Sequence, residues 1–255
     1  MQQEKLKEYE KLKEVDKMKT EFINVAAHEL RSPIQPVLGL SEFLLNKEGN
    51  IEQYRDLLKA INRNAKRLQQ LTENVLVVTK LESHTLELHK EKVNINENIR
   101  KVINDVNYQI HNHDKLKIVF LEPENFVYVE ADKIRLYQTL ANLLINAIKF
   151  TKEGTISVSA DVNDNNNELV IRVKDSGEGI HPVIMPRLFT KFATKSNMGT
   201  GFGLFISKSI IEAHGGEIWA ENNADRKGAT FSFSLPLPVK EWKHINIFSY
   251  PSSSN

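Results

Sequence analysis

The chain has 255 residues, 40% of them hydrophobic and 26% charged, which is typical of a globular protein with one large domain or two ordinary ones. The net charge of +1 gives no indication of a nucleic acid or an anionic membrane as partner, and the lack of cysteine excludes disulfides and thiol catalysis. No apolar run approaches the roughly 20 residues that span a bilayer. We therefore expect a cytoplasmic location, with any membrane anchor upstream of this sequence.

The part of the chain up to about Leu88 predicts only helices. A first amphipathic helix has apolar residues every three or four positions, although its first dozen residues fit a frayed, charged end equally well. The sequence NKEGN at 46–50 predicts a turn, and a second amphipathic helix follows. Two such helices form a hairpin, and pairing two hairpins into a four-helix bundle buries their apolar stripes. We therefore expect a homodimer with two-fold symmetry.

The second half of the chain alternates short β-like runs with helices, which predicts an α/β sandwich with a mixed sheet. The fold class is thus multidomain, α followed by α+β, with domains at 1–91 and 92–238 and a tail at 239–255 that either packs on the second domain or is disordered. An asparagine-rich loop at 161–169 predicts a hairpin. The predicted strands are Leu116–Leu121, Phe126–Glu130, Thr155–Val162, Glu168–Lys174, Glu217–Glu221 and Ala229–Leu235, and the predicted helices are Asn98–Ile110, Asp132–Phe150 and Phe202–His214.

The helix predicted at Asp132–Phe150 carries two asparagines and a lysine on one face. Asn142, Asn146 and Lys149 are spaced at i, i+4 and i+7. An amide oxygen suits Mg²⁺ when phosphate and water complete its coordination, and Lys149 is placed to offset phosphate charge. On this feature alone, the alternative of a polar helix face without a ligand is favoured.

Two glycine-rich loops follow in the second half. VKDSGEGI at 173–180 ends a strand, and GTGFGL at 199–204 opens a helix that Gly215 and Gly216 are suited to end. Glycines before a helix let backbone N–H groups approach phosphate. The spacing matches neither a P-loop nor a dinucleotide fingerprint. Asp175 is suited to accept a hydrogen bond from the exocyclic amine of adenine, although in isolation an aspartate that caps the turn is the favoured interpretation.

The segment between the two loops, 181–198, is long and irregular, which is typical of a functional lid or of a disordered segment. Phe189 and Phe192 are suited to anchor one end of a lid, and ordinary packing explains them equally well.

His28 lies inside the first predicted helix, directly before Glu29. A helix histidine is usually an ordinary surface residue. Three features favour a reactive one: the flanking Ala26 and Ala27 leave room for a large partner, Glu29 is suited to orient the ring or accept its proton, and two prolines just downstream predict a bend.

These motifs occur in the order of the transmitter core of two-component sensor histidine kinases, which the chain resembles from about Thr20 to Pro236. AAHELRSPI resembles the H box, NLLINAIKFT the N box, and DSGEGI, LFTKF and GTGFGL the G1, F and G2 boxes. The resemblance implies a HisKA-type domain for dimerisation and phosphoacceptance, followed by a HATPase_c domain with the Bergerat ATPase fold.

The resemblance also implies roles for individual residues. His28 is implied as the phosphoacceptor with Glu29 as its acidic partner, and Asn146 as the ligand of Mg²⁺. Asp175 is implied as the residue that reads the adenine of ATP. The other positions implied to bind the nucleotide are Asn142, Lys149, Gly177, Gly179, Gly199, Thr200, Gly201, Gly203 and Leu204.

The implied function is autophosphorylation of His28 by ATP, followed by transfer of the phosphoryl group to an aspartate of a response regulator. Some family members also dephosphorylate that partner with a Thr or Asn four residues after the histidine, and Ser32 at this position leaves such an activity open. Two other classes remain: a nucleotide-dependent interaction module without catalysis, and another Bergerat ATPase. Intact motif residues argue against the first, and Asn142 in place of a water-activating glutamate argues against the second.

Overall fold

The structure, a computed structural model, describes residues 2–46, 51–83, 85–109, 115–191, 201–224 and 227–238. The chain divides into two compact units, which are described separately. The first comprises Met1–Glu87 and Ile180–Ser209, and the second comprises Leu88–Gly179 and Ile210–Asn255. The domain boundaries expected from the sequence stay predictions.

Two long helices dominate the first unit. Helix α1 is Gln2–Leu45 and continues through both of its prolines, while helix α2 is Arg55–Glu82 and follows a short 3-10 helix at Ile51–Tyr54. The two helices pack against each other, which confirms the predicted helical hairpin. The predicted turn begins at Asn46, and its remaining residues, 47–50, lie outside the described residues.

The hairpin buries only part of its apolar surface. Leu71 and Val78 on α2 are at most 2% exposed, whereas Leu38 is 53% exposed and Leu76 is 61% exposed. Burying a leucine side chain stabilises a protein by about 1.5–3 kcal/mol. A second hairpin that covered these exposed leucines would therefore add to the stability of the first.

The second unit contains the β-strands. Five strands form one sheet in the order β2-β4-β5-β7-β6, in which β2 and β4 are parallel and the other neighbours are antiparallel. This confirms the predicted mixed sheet. The strands are β1 (Glu91–Asn94), β2 (Leu116–Leu121), β3 (Tyr128–Ala131), β4 (Gly154–Asn163), β5 (Glu168–Lys174), β6 (Ile218–Asn222) and β7 (Ala229–Pro236), and the further helices are α3 (Ile95–Gln109), α4 (Lys133–Phe150) and α5 (Gly203–Ala213).

Helix α4 packs mainly against α3 and also contacts strand β5. It buries leucines that recur at helical spacing. Leu136, Leu140, Leu143 and Leu144 are at most 1% exposed. Because this face is fixed in the core, the face of α4 that carries Asn142, Asn146 and Lys149 is turned away from the core.

The sequence patterns missed strand β1. This strand pairs antiparallel with β3, with Val93 opposite Val129 and Glu91 opposite Ala131. It is only four residues long, and Val93 is its only buried residue, so its own pattern carries little signal. Pairing with a strand more than thirty residues away along the chain stabilises it.

Most element boundaries agree with the sequence to within two or three residues, and two differences have a local cause. Strand β3 runs to Ala131 because Asp132 begins the next helix: its Oδ1 accepts from the N–H groups of Ile134 at 3.1 Å and Arg135 at 3.0 Å. Helix α5 ends at Ala213, and Gly215 follows with a φ of 82°, as expected of a glycine that ends a helix.

None of the helices in the described ranges combines the length and the hydropathy that crossing a membrane requires.

Candidate active site

His28 lies on α1, and its side chain is 78% exposed. Its Nδ1 lies 3.8 Å from Oε1 of Glu29, so the carboxylate faces one nitrogen of the ring. Ala26 is buried, whereas Ala27 and Ser32 are exposed. Ser32 follows His28 by four residues and therefore lies on the same side of the helix. The exposed side chain of His28 is accessible to a large partner.

Glu29 also faces a residue that the sequence analysis missed. Nη2 of Arg67, on α2, lies 3.5 Å from Oε2 of Glu29, whose side chain is only 16% exposed. This oxygen is buried and has no hydrogen-bond partner. The periodicity of α2 marks Arg67 only as one of its polar residues, because the pairing depends on how the two helices pack.

The start of α5 carries the predicted glycine-rich loop. Gly201 has a φ of 67°, a conformation that favours glycine, and the helix begins at Gly203. The buried Phe202 accepts, at its carbonyl, a hydrogen bond of 2.8 Å from the N–H of Ile206, which supports the first turn. Gly199 and Thr200 lie outside the described residues.

The segment before that loop contributes contacts within the first unit. Leu188 is buried, Phe189 is half-buried, and Phe192 lies outside the described residues. Lys191 forms an ion pair with Glu82 of α2, and its Nζ lies 5.2 Å from the centre of the Phe205 ring.

The three predicted residues of α4 lie on its half-exposed face. Asn142, Asn146 and Lys149 are all of intermediate burial, and Nζ of Lys149 lies 5.0 Å from the centre of the neighbouring Phe150 ring. Among the described residues, no group of three or more His, Cys, Asp or Glu is arranged to hold a metal ion. The candidate donors for Mg²⁺ on this face are therefore amide oxygens.

Asp175 is 4% exposed and lies directly after β5. Its Oδ1 accepts from the N–H of Gly177 at 2.9 Å and from the N–H of Ala229 at 3.3 Å. Burial raises the pKa of this carboxyl above its ordinary value of 3.8, although the two backbone hydrogen bonds act in the opposite direction. The aspartate thus caps its turn with Oδ1, and Oδ2 is the oxygen left for a ligand.

The turn after Asp175 lies against the end of α4. The N–H of Glu178 donates to the carbonyl of Phe150 at 3.4 Å, and a Cβ on Gly177 would meet that same oxygen at 2.3 Å. Only glycine therefore fits at position 177. Gly179 has a φ of 75°, which also favours glycine. The structure thus brings together Asp175, this turn and the end of the asparagine-bearing helix.

Two further residues missed by the sequence analysis lie behind Asp175. Nδ2 of Asn223 donates to the backbone carbonyl of Asp175 at 2.8 Å, and Oδ1 of Asn223 accepts from Thr230 at 2.7 Å. A Cβ on Gly228 would lie 2.0 Å from that carbonyl oxygen of Asp175. The sequence around them is an ordinary loop between two strands, and their role depends on the β6–β7 pairing.

These residues fit ATP. A buried carboxylate with one oxygen committed to the backbone suits a single donor such as the exocyclic amine of adenine. Asn142, Asn146 and Lys149 offer amide and ammonium groups suited to phosphate and Mg²⁺.

Comparison with known protein families agrees with this arrangement. Residues 131–239 match the family described as Histidine kinase-, DNA gyrase B-, and HSP90-like ATPase. Residues 18–84 match the His Kinase A (phospho-acceptor) domain. The first match contains α4 and Asp175, and the second contains His28 and Arg67.

Several solved structures are similar to the chain. The catalytic domain of histidine kinase ThkA is 35% identical over 59% of this chain and 96% of that one, with a TM-score of 0.52. ThkA in complex with response regulator protein TrrA is 29% identical, and the match covers 90% of this chain and 64% of that one, with a TM-score of 0.64. Histidine kinase AdeS of Acinetobacter baumannii shares the fold, with a TM-score of 0.66. It is 24% identical, and the match covers 82% of this chain and 98% of that one.

Full-length ShkA in complex with AMPPNP is 28% identical over 82% of this chain, with a TM-score of 0.64, and the chain spans 44% of its length. The family matches, the ThkA likeness and the two-part architecture agree with one another. The chain belongs to the sensor histidine kinases and contains the transmitter core of that family.

Proposed function

We propose that this histidine kinase transfers the γ-phosphoryl group of ATP to His28 and then to an aspartate of a response regulator. The observation that carries the assignment is the pairing of an exposed His28 with Glu29, whose Oε1 lies 3.8 Å from Nδ1 of the ring. A carboxylate at Nδ1 favours the tautomer with its proton on that nitrogen, and the lone pair is then on Nε2.

The proposed step joins Nε2 of His28 to the γ-phosphorus and breaks the bond between that phosphorus and the oxygen that bridges it to the β-phosphorus. ADP carries the bond's electron pair away. The ring becomes positively charged as the new bond forms, and Glu29 accepts its Nδ1 proton or offsets its charge. In the second step the N–P bond breaks, and a carboxylate oxygen of the response regulator receives the phosphoryl group.

Asp175 is proposed to select adenine. Its Oδ2 accepts from the exocyclic amine, while Oδ1 keeps the hydrogen bonds to Gly177 and Ala229 that fix the side chain. Asn223 donates to the backbone carbonyl of Asp175, and Gly228 leaves room for that carbonyl because it has no Cβ. The buried carboxylate gains a donor when the nucleotide binds, which recovers part of its desolvation cost.

Asn146 is proposed as the protein ligand of Mg²⁺, with Asn142 and Lys149 beside the phosphates. When bound, Mg²⁺ neutralises charge on the phosphate oxygens during transfer. The residues of this chain contribute neutral oxygen donors and one ammonium group. Gly199, Thr200, Gly201, Gly203 and Leu204 are proposed, from the family motif, as the loop that covers the phosphates.

The chain is also proposed to act as a homodimer that meets a response regulator at the hairpin. Exposed leucines on both helices support the dimer. The complex of the similar ThkA with its response regulator TrrA supports the partner class. Ser32, exposed and one turn after His28, is the residue available for a phosphatase reaction.

The experiment that tests the proposal is incubation of the chain with labelled ATP and Mg²⁺, followed by mapping of the labelled residue by mass spectrometry under alkaline conditions. We expect the label on the peptide that contains His28. A label on any other residue, or hydrolysis of ATP without labelling, contradicts the proposal.

A further inference from the structure

Glu29 divides its two carboxylate oxygens between two helices. Oε1 faces His28 on α1 at 3.8 Å, and Oε2 faces Nη2 of Arg67 on α2 at 3.5 Å. The sequence of contacts is therefore His28, then Glu29, then Arg67, with the carboxylate in the middle. His28 is 78% exposed, Arg67 is 39% exposed, and Glu29 is the least exposed of the three at 16%.

The carboxylate has few other means of holding its orientation. Its Oε2 is buried and accepts no hydrogen bond, so the guanidinium provides the charge that faces this oxygen. A buried carboxylate without a partner is costly, and it lowers that cost by rotating toward a cation or toward water. Rotation of Glu29 toward water would move Oε1 away from Nδ1 of His28.

We propose that Arg67 is a positioning residue for phosphorylation of His28, which acts by holding Glu29 with one oxygen directed at Nδ1 of the ring. The proposal rests on the proposed role of His28 as phosphoacceptor. Arg67 touches neither the ring nor the phosphoryl group in this account. Its contact with Glu29 joins one nitrogen to one oxygen, so a lysine at this position is able to supply the same charge.

A purely structural role for the pair, as a tether between α1 and α2, predicts different results. A tether affects hairpin stability and dimerisation, and it affects phosphorylation only through them. A positioning residue affects the rate of phosphorylation in a dimer that is otherwise intact, and its effect disappears once Glu29 no longer has a carboxylate.

The experiment measures the initial rate of phosphorylation of the full chain against ATP concentration. The variants are Arg67→Met, Arg67→Lys, Glu29→Gln and the double variant Glu29→Gln/Arg67→Met. The matched control is Arg63→Met, which removes the same group from the exposed arginine one turn earlier on α2. Light scattering verifies the mass of each variant, and calorimetry verifies its affinity for ADP.

We expect Arg67→Met to lower the maximal rate by about tenfold or more, since loss of a general base typically lowers a reaction rate by about 10²- to 10⁴-fold. The KM for ATP should stay within about twofold, because the nucleotide site is unchanged. Arg67→Lys should restore most of the rate, and Arg63→Met should equal the parent. The double variant should be no slower than Glu29→Gln alone.

Three results would overturn the proposal: an Arg67→Met rate equal to the parent's, a double variant slower than Glu29→Gln by the full Arg67→Met factor, or loss of rate only in step with loss of the dimer. If Arg67→Met fails to fold, Arg67→Lys decides, because a folded, dimeric lysine variant as slow as Glu29→Gln also contradicts the proposal. His28→Ala separates failure of the phosphoacceptor assignment from failure of the positioning role. Labelling that persists in His28→Ala refutes the assignment of His28 as phosphoacceptor. Loss of labelling in His28→Ala, together with an unchanged rate in Arg67→Met, refutes only the positioning role of Arg67.

Discussion

The ring of His214 accepts a hydrogen bond at Nε2 from the backbone N–H of Asp132, across 2.9 Å. Its Nδ1 lies 2.7 Å from the carbonyl of Ile210 and donates to it, so the buried ring has a neutral tautomer with both nitrogens used. Asp132 caps α4. The histidine therefore supports the first turn of the helix that carries the asparagine face.

Acidification should destabilise the second unit through His214. Burial lowers the pKa of this ring from its ordinary value of 6.5, and nearby Lys90 lowers it further, against the raising effects of the Ile210 hydrogen bond and the Asp132 charge. The unfolded chain therefore takes up the proton at a higher pH than the folded chain does. The contribution to stability is complete above pH 6.5 and is lost as the pH falls below it.

Urea unfolding of the full chain, followed by circular dichroism from neutral pH down to about pH 5, measures this effect. His214→Gln should lower the free energy of unfolding at neutral pH by about 1–3 kcal/mol and flatten its decrease toward acid. The exposed His89→Gln is the matched control and should follow the parent. An unchanged pH dependence in His214→Gln would contradict the account.

Asp175→Asn should weaken ATP and ADP binding alike, by about 10- to 100-fold, because hydrogen bonds to a charged group contribute about 1.5–3 kcal/mol. The free energy of unfolding should not decrease in this variant. An asparagine Oδ1 is able to accept from Gly177 and Ala229 as the carboxylate does, and replacing a carboxyl whose pKa burial raises removes a desolvation cost.

Calorimetry with both nucleotides and urea unfolding of the same samples measure the two effects separately. Asp164→Asn, in the turn between β4 and β5, is the control and should change neither. Equal losses of stability and affinity in Asp175→Asn would mean that the residue only caps its turn.

Asn146→Ala should act through magnesium. We expect ATP to bind this variant with little difference between samples with and without Mg²⁺, and phosphorylation to fall by at least about tenfold, because the variant lacks an oxygen donor for the metal. Calorimetric titrations with ATP in each condition provide the measurement. Asn107→Ala, on an exposed position of α3, serves as the control. Retained metal dependence and phosphorylation would show that this face of α4 has another role.

Local patterns were sufficient to predict which candidate residues lie together on a single helix or turn. The spacing of Asn142, Asn146 and Lys149 defines a face of one helix, and Gly177 follows Asp175 within one turn. In each case the residues are brought together by backbone geometry within a few positions.

The residues that were missed are brought together only by packing. Arg67 meets Glu29 across two helices, and Asn223 meets Asp175 across two strands that are far apart in the sequence. An arginine on an amphipathic helix and an asparagine in a loop are ordinary residues until their partners are known. The same holds for β1, whose four residues become a strand by pairing with β3.

The hairpin should form a dimer at micromolar concentration. Replacement of Leu38 or Leu76 by aspartate should shift the mass of the full chain toward the monomer, because each places a charge on an apolar surface that a second hairpin is expected to cover. Leu121→Asp, on an exposed position of β2, should leave the dimer intact. Light scattering gives the mass, and a monomeric parent chain would contradict the four-helix bundle.

The central claim is that His28 carries the phosphoryl group as a phosphoramidate, and the chemical stability of the label tests it most directly. A phosphorylated imidazole is labile to acid and stable to base, the reverse of phosphoserine. After labelling with ATP and Mg²⁺, we expect the label to be lost in acid and kept in base, and to be absent from His28→Ala. That variant should dimerise and bind ATP like the parent, since an exposed side chain contributes little to stability. The control His89→Ala should be labelled normally, and an acid-stable label on the parent or continued labelling of His28→Ala would contradict the claim.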